Sequence, residues 1–130
     1  MNANINLRRI YYAHSKRIYG TPNETEELKY IKEKFPNANV ICPHNSIGEL
    51  SDFEDYLHVV DCCSKVVVSE IDEYVSKGVF SEIARGFSNN TPVFVLRMID
   101  GILTLFDVVG IEIINQNDWK NKYGKIIIKK

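Results

Sequence analysis

The chain has no charge of either sign to spare and few cysteines. Its 16 Lys and Arg stand against 17 Asp and Glu, a formal net charge of −1 at pH 7. That balance provides no large basic field to draw it onto a phosphate backbone, so no nucleic-acid partner is expected. Cys42, Cys62 and Cys63 are odd in number and lack CxxC spacing. They argue against a disulfide framework or a structural zinc site, and for reduced thiols in a cytoplasmic protein. The three histidines, His14, His44 and His58, form no HxxxH pattern, and neither a metal nor an organic cofactor is expected. No apolar run approaches the ~20 residues of a membrane-spanning helix, and the charged MNANINLRRI lacks the apolar stretch of a signal peptide, so no membrane partner is expected.

What is present suffices for one core. At 130 residues, 45% hydrophobic and 11% aromatic, the chain reads as a single domain over 1–130. Short apolar runs alternate with helical periods. IYYA (10–13) reads as a buried strand, and 23–35 as an amphipathic helix capped by Asn23 with Glu26 three residues on. NVICP (39–43) is a second strand. A helix capped by Ser51 or Asp52 carries the stripe Phe53, Tyr56, Leu57 and Val60. KVVVSE (65–70) is a third strand, IDEYVSK a polar loop, 78–89 a helix and PVFVLR (92–97) a fourth strand. Beyond Arg97, ILTLFDVV, IEII and KIII look strand-like and NDWKNKY looks helical. Continuous apolar strands separated by helices imply strands covered on both faces. The expected fold is α/β, a single doubly wound, Rossmann-like domain whose mostly parallel sheet of about five strands has helices on both faces.

In such a sheet ligands bind outside the carboxyl ends of the strands. The loops there hold His14, Ser15, Lys16 and Arg17, then Pro43, His44 and Asn45, then Asp72, Ser76 and Glu82, with Arg97 ending the fourth strand. Glu82 falls at the start of the helix 78–89, whose buried side reads as Val79, Phe80, Ile83, Ala84 and Phe87. It is expected on the flank, beside Gly78 and Arg85, with the helix dipole lowering its pKa. One reading makes it a surface acid paired with Arg85. The other makes it an ionised nucleophile for a sugar anomeric carbon, with Gly78 letting the loop approach a ligand closely.

RIYYAHS, with Tyr11 and Ala13 closing the strand, resembles the opening strand of the nucleoside 2-deoxyribosyltransferase-like family. KVVVSEIDEYVSKGVFSEIARGFSNNTPVFVLR is similar to that family's core, and SKGVFSE looks closest to its 2′-deoxynucleoside 5′-phosphate N-hydrolase branch. The resemblance implies that Glu82 attacks C1′ and that Tyr11 orients it. It places Ser76 against the phosphate or sugar, where transferases more often carry an Asp that protonates the base. Asp72 or Glu73 would then have to substitute for that acid, so hydrolysis is expected over base exchange. The loop AHSKRIYGT is poorer in glycine than in those hydrolases, with Ser15, Lys16 and Arg17 as phosphate donors. The implied ligand is a nucleoside or nucleotide, and the implied assembly a homodimer or larger homo-oligomer. Two other functions fit the same sequence: a nucleotide-binding or sensing module that breaks no bond, and an NAD glycohydrolase like TIR-type domains.

Overall fold

The computed structural model describes residues 6–43, 53–114 and 123–129. In chain order the elements are β1 (Asn6–Ala13), α1 (Pro22–Lys34), β2 (Asn39–Ile41), α2 (Phe53–Asp61) and β3 (Cys63–Ser69). They continue with β4 (Tyr74–Val75), α3 (Lys77–Ser88), β5 (Val93–Ile99), β6 (Ile102–Ile113) and β7 (Gly124–Ile128). A single 3-10 turn, Lys16–Ile18, follows β1. Among the described residues no helix is long and apolar enough to cross a membrane.

The fold is α/β with a mixed seven-stranded sheet in the order β2-β1-β3-β5-β6-β7-β4. Strands β2, β1, β3 and β5 are parallel, as the apolar runs predict. The expectation of about five mostly parallel strands is corrected at the other end, where β6, β7 and β4 join antiparallel. The cause is local. Ile99 pairs with Ile102 across the two residues Asp100 and Gly101, both at positive φ (51° and 81°). That is the backbone of a primed hairpin turn, and Asp-Gly is the pair it favours. A second tight turn, Asp72 and Glu73 at φ 52° and 74° between the bridged Ile71 and Tyr74, starts β4 within the stretch expected as a loop. ILTLFDVV and IEII merge into the single strand β6, with a register shift between Val108 and Gly110. Of NDWKNKY, expected to be helical, residues 117–122 lie outside the described residues, as do Ser51, Asp52, His44 and Asn45.

Each face of the sheet has its own core, because successive β1 side chains alternate. Tyr11 and Ala13 join Val66, Val68, Val93 and Val95 beneath α2 and α3, whose Val60, Val79 and Ile83 are buried there. Ile10 and Tyr12 join Val67 and Leu96 beneath α1, which contributes Ile31. The N-cap of α1 is Thr21, whose hydroxyl accepts from the Glu24 amide at 3.4 Å, and not Asn23. Pro22 explains the choice: it has no N–H to satisfy and a φ already suited to the first helical position.

Candidate functional site

Helix α3 begins one residue before the expected glycine, at Lys77, with Ser76 as its N-cap. Glu82 is therefore its sixth residue, beyond the first turn. The buried line along α3 is Val79, Glu82, Ile83 and Gly86. Ala84 is exposed and Phe87 is 38% exposed, so the helix is rotated from the expected setting. Gly86 makes this orientation fit. A β-carbon there would lie 3.1 Å from Val93 Cγ2 and 3.4 Å from Val66 Cγ2, so the helix backbone rests closely on β3 and β5. One turn before Gly86, Glu82 is pressed against the sheet and is 6% exposed, not on a flank as expected.

The Tyr11 hydroxyl, itself fully buried, donates to Glu82 Oε2 across 71 residues of sequence. This is the pairing that the resemblance implied. Burial raises the Glu82 carboxyl to about pKa 7, and the Tyr11 bond opposes the rise only in part. The expected lowering by the helix dipole is overturned, because that effect fades beyond the first turn while desolvation acts on the whole charge. Burial and the Glu82 charge together push the Tyr11 phenol far up. Arg85 does not pair with Glu82. It makes a two-pronged contact with Asp61 on α2, at 2.7 Å for both bonds, and reaches Glu54 at 3.6 Å.

The other sequence candidates fall into four groups. Ala13 ends β1 in the same core as Tyr11, and Gly78 is the second, half-buried residue of α3. Ser76 Oγ accepts from the Val79 amide at 3.5 Å, which leaves its O–H to donate at the mouth of the helix. Ser15 caps the 3-10 turn by accepting from the Arg17 amide, and Lys16 and Arg17 expose their side chains on it. His14 turns to the α1 face and meets Glu24 at 2.7 Å. Arg97 is inside β5, not at its end, and grips Glu70 through two bonds of 2.6 and 2.8 Å. With Asp72, Glu26, Glu27 and Asn23 it lines a cleft of about 360 Å³ whose walls include neither Tyr11 nor Glu82.

Two features escaped the sequence reading. Tyr19, just beyond the 3-10 turn, is half-buried, and its phenol is pushed up to about 12 by burial and then by Glu82 and Tyr56. The loop after β1 thus returns a second phenol to the neighbourhood of Glu82. Donor atoms of His14, Glu24 and Cys42 also lie within 4.8 Å of one another, a set able to hold a metal ion. Separations of 10, 18 and 28 residues hide it from any short motif. In comparisons with family models, curated proteins and solved structures, the chain matches none.

Proposed function

We propose that the chain is an N-glycosidase that hydrolyses the bond between base and sugar in a nucleoside or nucleoside 5′-monophosphate. The observation that carries this reading is the buried Glu82 carboxyl held by the Tyr11 hydroxyl between α3 and β1. In its ionised form Glu82 attacks C1′, the bond to the base breaks with its electron pair leaving on the base, and a glycosyl ester forms on Glu82. Water then hydrolyses the ester, its hydroxyl going to the sugar and its remaining proton, by way of solvent, to the departed base, which restores the carboxylate. Tyr11 fixes the attacking oxygen, and Tyr19 lies near enough for the Glu82 charge to act on its phenol. The ring oxygen's developing positive charge needs an anion beside it, which a desolvated carboxylate supplies without an added cofactor. With a carboxyl titrating at about 7, the nucleophilic form gains population as pH rises through neutrality.

A nucleotide-binding module is the second reading, favoured by the same raised pKa: a protonated Glu82 can donate to a ribose hydroxyl without attacking carbon. A chromatographic screen of nucleosides, nucleotides and NAD, with wild type and Glu82→Gln, separates the two. Free base from wild type and none from the variant supports hydrolysis. Undiminished release by Glu82→Gln removes the proposal, saturable binding without release selects the second reading, and nicotinamide from NAD assigns a TIR-like activity. A homo-oligomer is also proposed, because Met98, Ile99, Ile102, Val109, Ile113 and Ile127 expose apolar side chains on β5 to β7. Sedimentation tests it.

A further inference from the structure

We propose that His14, Glu24 and Cys42 form a binding site for a divalent cation of the zinc class. His14 follows the last residue of β1 and Cys42 the last residue of β2, while Glu24 lies in the first turn of α1. Parallel pairing of Tyr11 with Ile41 brings the chain out of both strands side by side, under the start of α1. All three residues are buried, at 5%, 5% and 3% exposure. His14 Nε2 lies 2.7 Å from Glu24 Oε2, and Cys42 Sγ lies 3.8 Å from that oxygen and 4.0 Å from the imidazole nitrogen.

The arrangement around these donors is the one that metal-binding residues use. His14 Nδ1 lies 3.0 Å from the Tyr12 carbonyl oxygen. A carbonyl only accepts, so Nδ1 carries the proton and Nε2 is the atom aimed at Glu24 and Cys42. The other carboxylate oxygen of Glu24 accepts from the Gly20 amide at 3.0 Å, which fixes the orientation of the group. Imidazole, carboxylate and thiolate together suit zinc or cobalt, whereas magnesium and calcium prefer oxygen alone. Tetrahedral bonds of about 2.0–2.3 Å would set the donors roughly 3.4–3.6 Å apart. The His14–Glu24 contact would therefore open by somewhat over half an ångström and the thiol move in by somewhat less. The ion takes the place of the proton held between His14 and Glu24 and of the Cys42 thiol proton, both released to solvent. Three protein donors leave one position for water or a ligand. The ion would tie the loop that carries Tyr19 to both β2 and α1. The inference is independent of the chemistry proposed for Glu82.

The test is an anaerobic titration of chelator-treated, reduced protein with Co²⁺, followed by competition with Zn²⁺. One Co²⁺ per chain is expected, with a thiolate-to-metal band in the near ultraviolet. Cys42→Ser is expected to abolish the band and weaken binding by at least about 100-fold, while Cys62→Ser keeps both. Zn²⁺ should raise the Tm of wild type by several degrees, reversibly with chelator, and leave that of Cys42→Ser unmoved. Should Cys42→Ser fail to fold, Glu24→Gln decides by its loss of Zn²⁺ affinity. Absence of stoichiometric Co²⁺ binding by wild type overturns the proposal, as does binding that survives these substitutions. A buried His–Glu pair that serves packing alone gives that result.

Discussion

Tyr11 and Tyr12 leave β1 on opposite faces of the sheet, and each phenol donates to a glutamate on the helix covering its face. Tyr11 reaches Glu82 on α3, and Tyr12 reaches Glu27 on α1 at 2.5 Å. Both phenols are fully buried, and burial raises both carboxyls. The surroundings differ. Glu27 is half-buried on the wall of the acidic cleft, and hydroxyls of Tyr12 and Ser69 both offset its desolvation. Glu82 is deeper, and among the described residues Tyr11 alone opposes its burial. Depth and the number of donors, rather than residue type, decide which carboxyl is poised near neutral pH. The α1 face is thus a control built into the same strand.

Four measurements can break or sharpen that comparison. The largest difference is expected between Glu82→Gln and Glu27→Gln: base release should fall at least about 10³-fold in the first and stay within a few-fold of wild type in the second. Equal losses would erase the distinction between the faces. The next concerns stability. Glu82 has its folded pKa raised from 4.5 to about 7, so its favourable contribution is complete below pH 4.5 and disappears as pH rises through 7. Denaturant unfolding of Glu82→Gln against wild type should show the variant gaining in relative stability over that window, by roughly 3 kcal/mol at its upper end. A difference flat with pH would mean that Glu82 is not desolvated.

Third, Tyr11→Phe removes the bond that holds the Glu82 pKa down. Activity should drop about 10- to 100-fold at pH 7, the equivalent of ~1.5–3 kcal/mol for a bond to a charged acceptor. The midpoint of the pH–rate profile should move above that of wild type, whereas Tyr12→Phe should leave it in place. The smallest effect belongs to the exposed side of α3. Asp61 is lowered from 3.8 to about 2, first by its bonds with Arg85. Its contribution is present above pH 3.8 and is lost as pH falls through 2. The groups are about a third exposed, so Asp61→Asn should cost less than ~1 kcal/mol at pH 7, and less again in high salt.

The parallel half of the sheet was legible because β1, β3 and β5 are continuous apolar runs, a pattern that two covered faces require. The antiparallel half was less so. Asp100-Gly101 carries a hairpin signal in plain view, yet the strand beyond it reads as two pieces because Gly110 interrupts β6. At the start of α1 two overlapping capping patterns, Thr21 with Glu24 and Asn23 with Glu26, compete, and Pro22 tips the balance. For the candidate site, order along the chain picks out Ser76 and Glu82 at one sheet edge, and the family resemblance adds Tyr11. It does not reveal burial, because the depth of Glu82 comes from Gly86 meeting Val66 and Val93, contacts far apart in sequence. Arg97 reads as a ligand-edge cation for the same reason: Glu70, its partner, lies 27 residues away.

The paired tyrosines also bear on how β1 finds its place between β2 and β3. A slip by one residue turns every side chain to the opposite face, and with Tyr at both 11 and 12 such a slip would still present a phenol to Glu82. The next two positions are not interchangeable. Slippage in that direction would drive the His14 imidazole into the apolar slot that Ala13 fills beneath α3, and leave Glu27 facing the Ala13 methyl group in place of the Tyr12 phenol. His14, read as a candidate ligand contact, thereby serves also as the mark that tells the strand which of two nearly equivalent alignments is the native one.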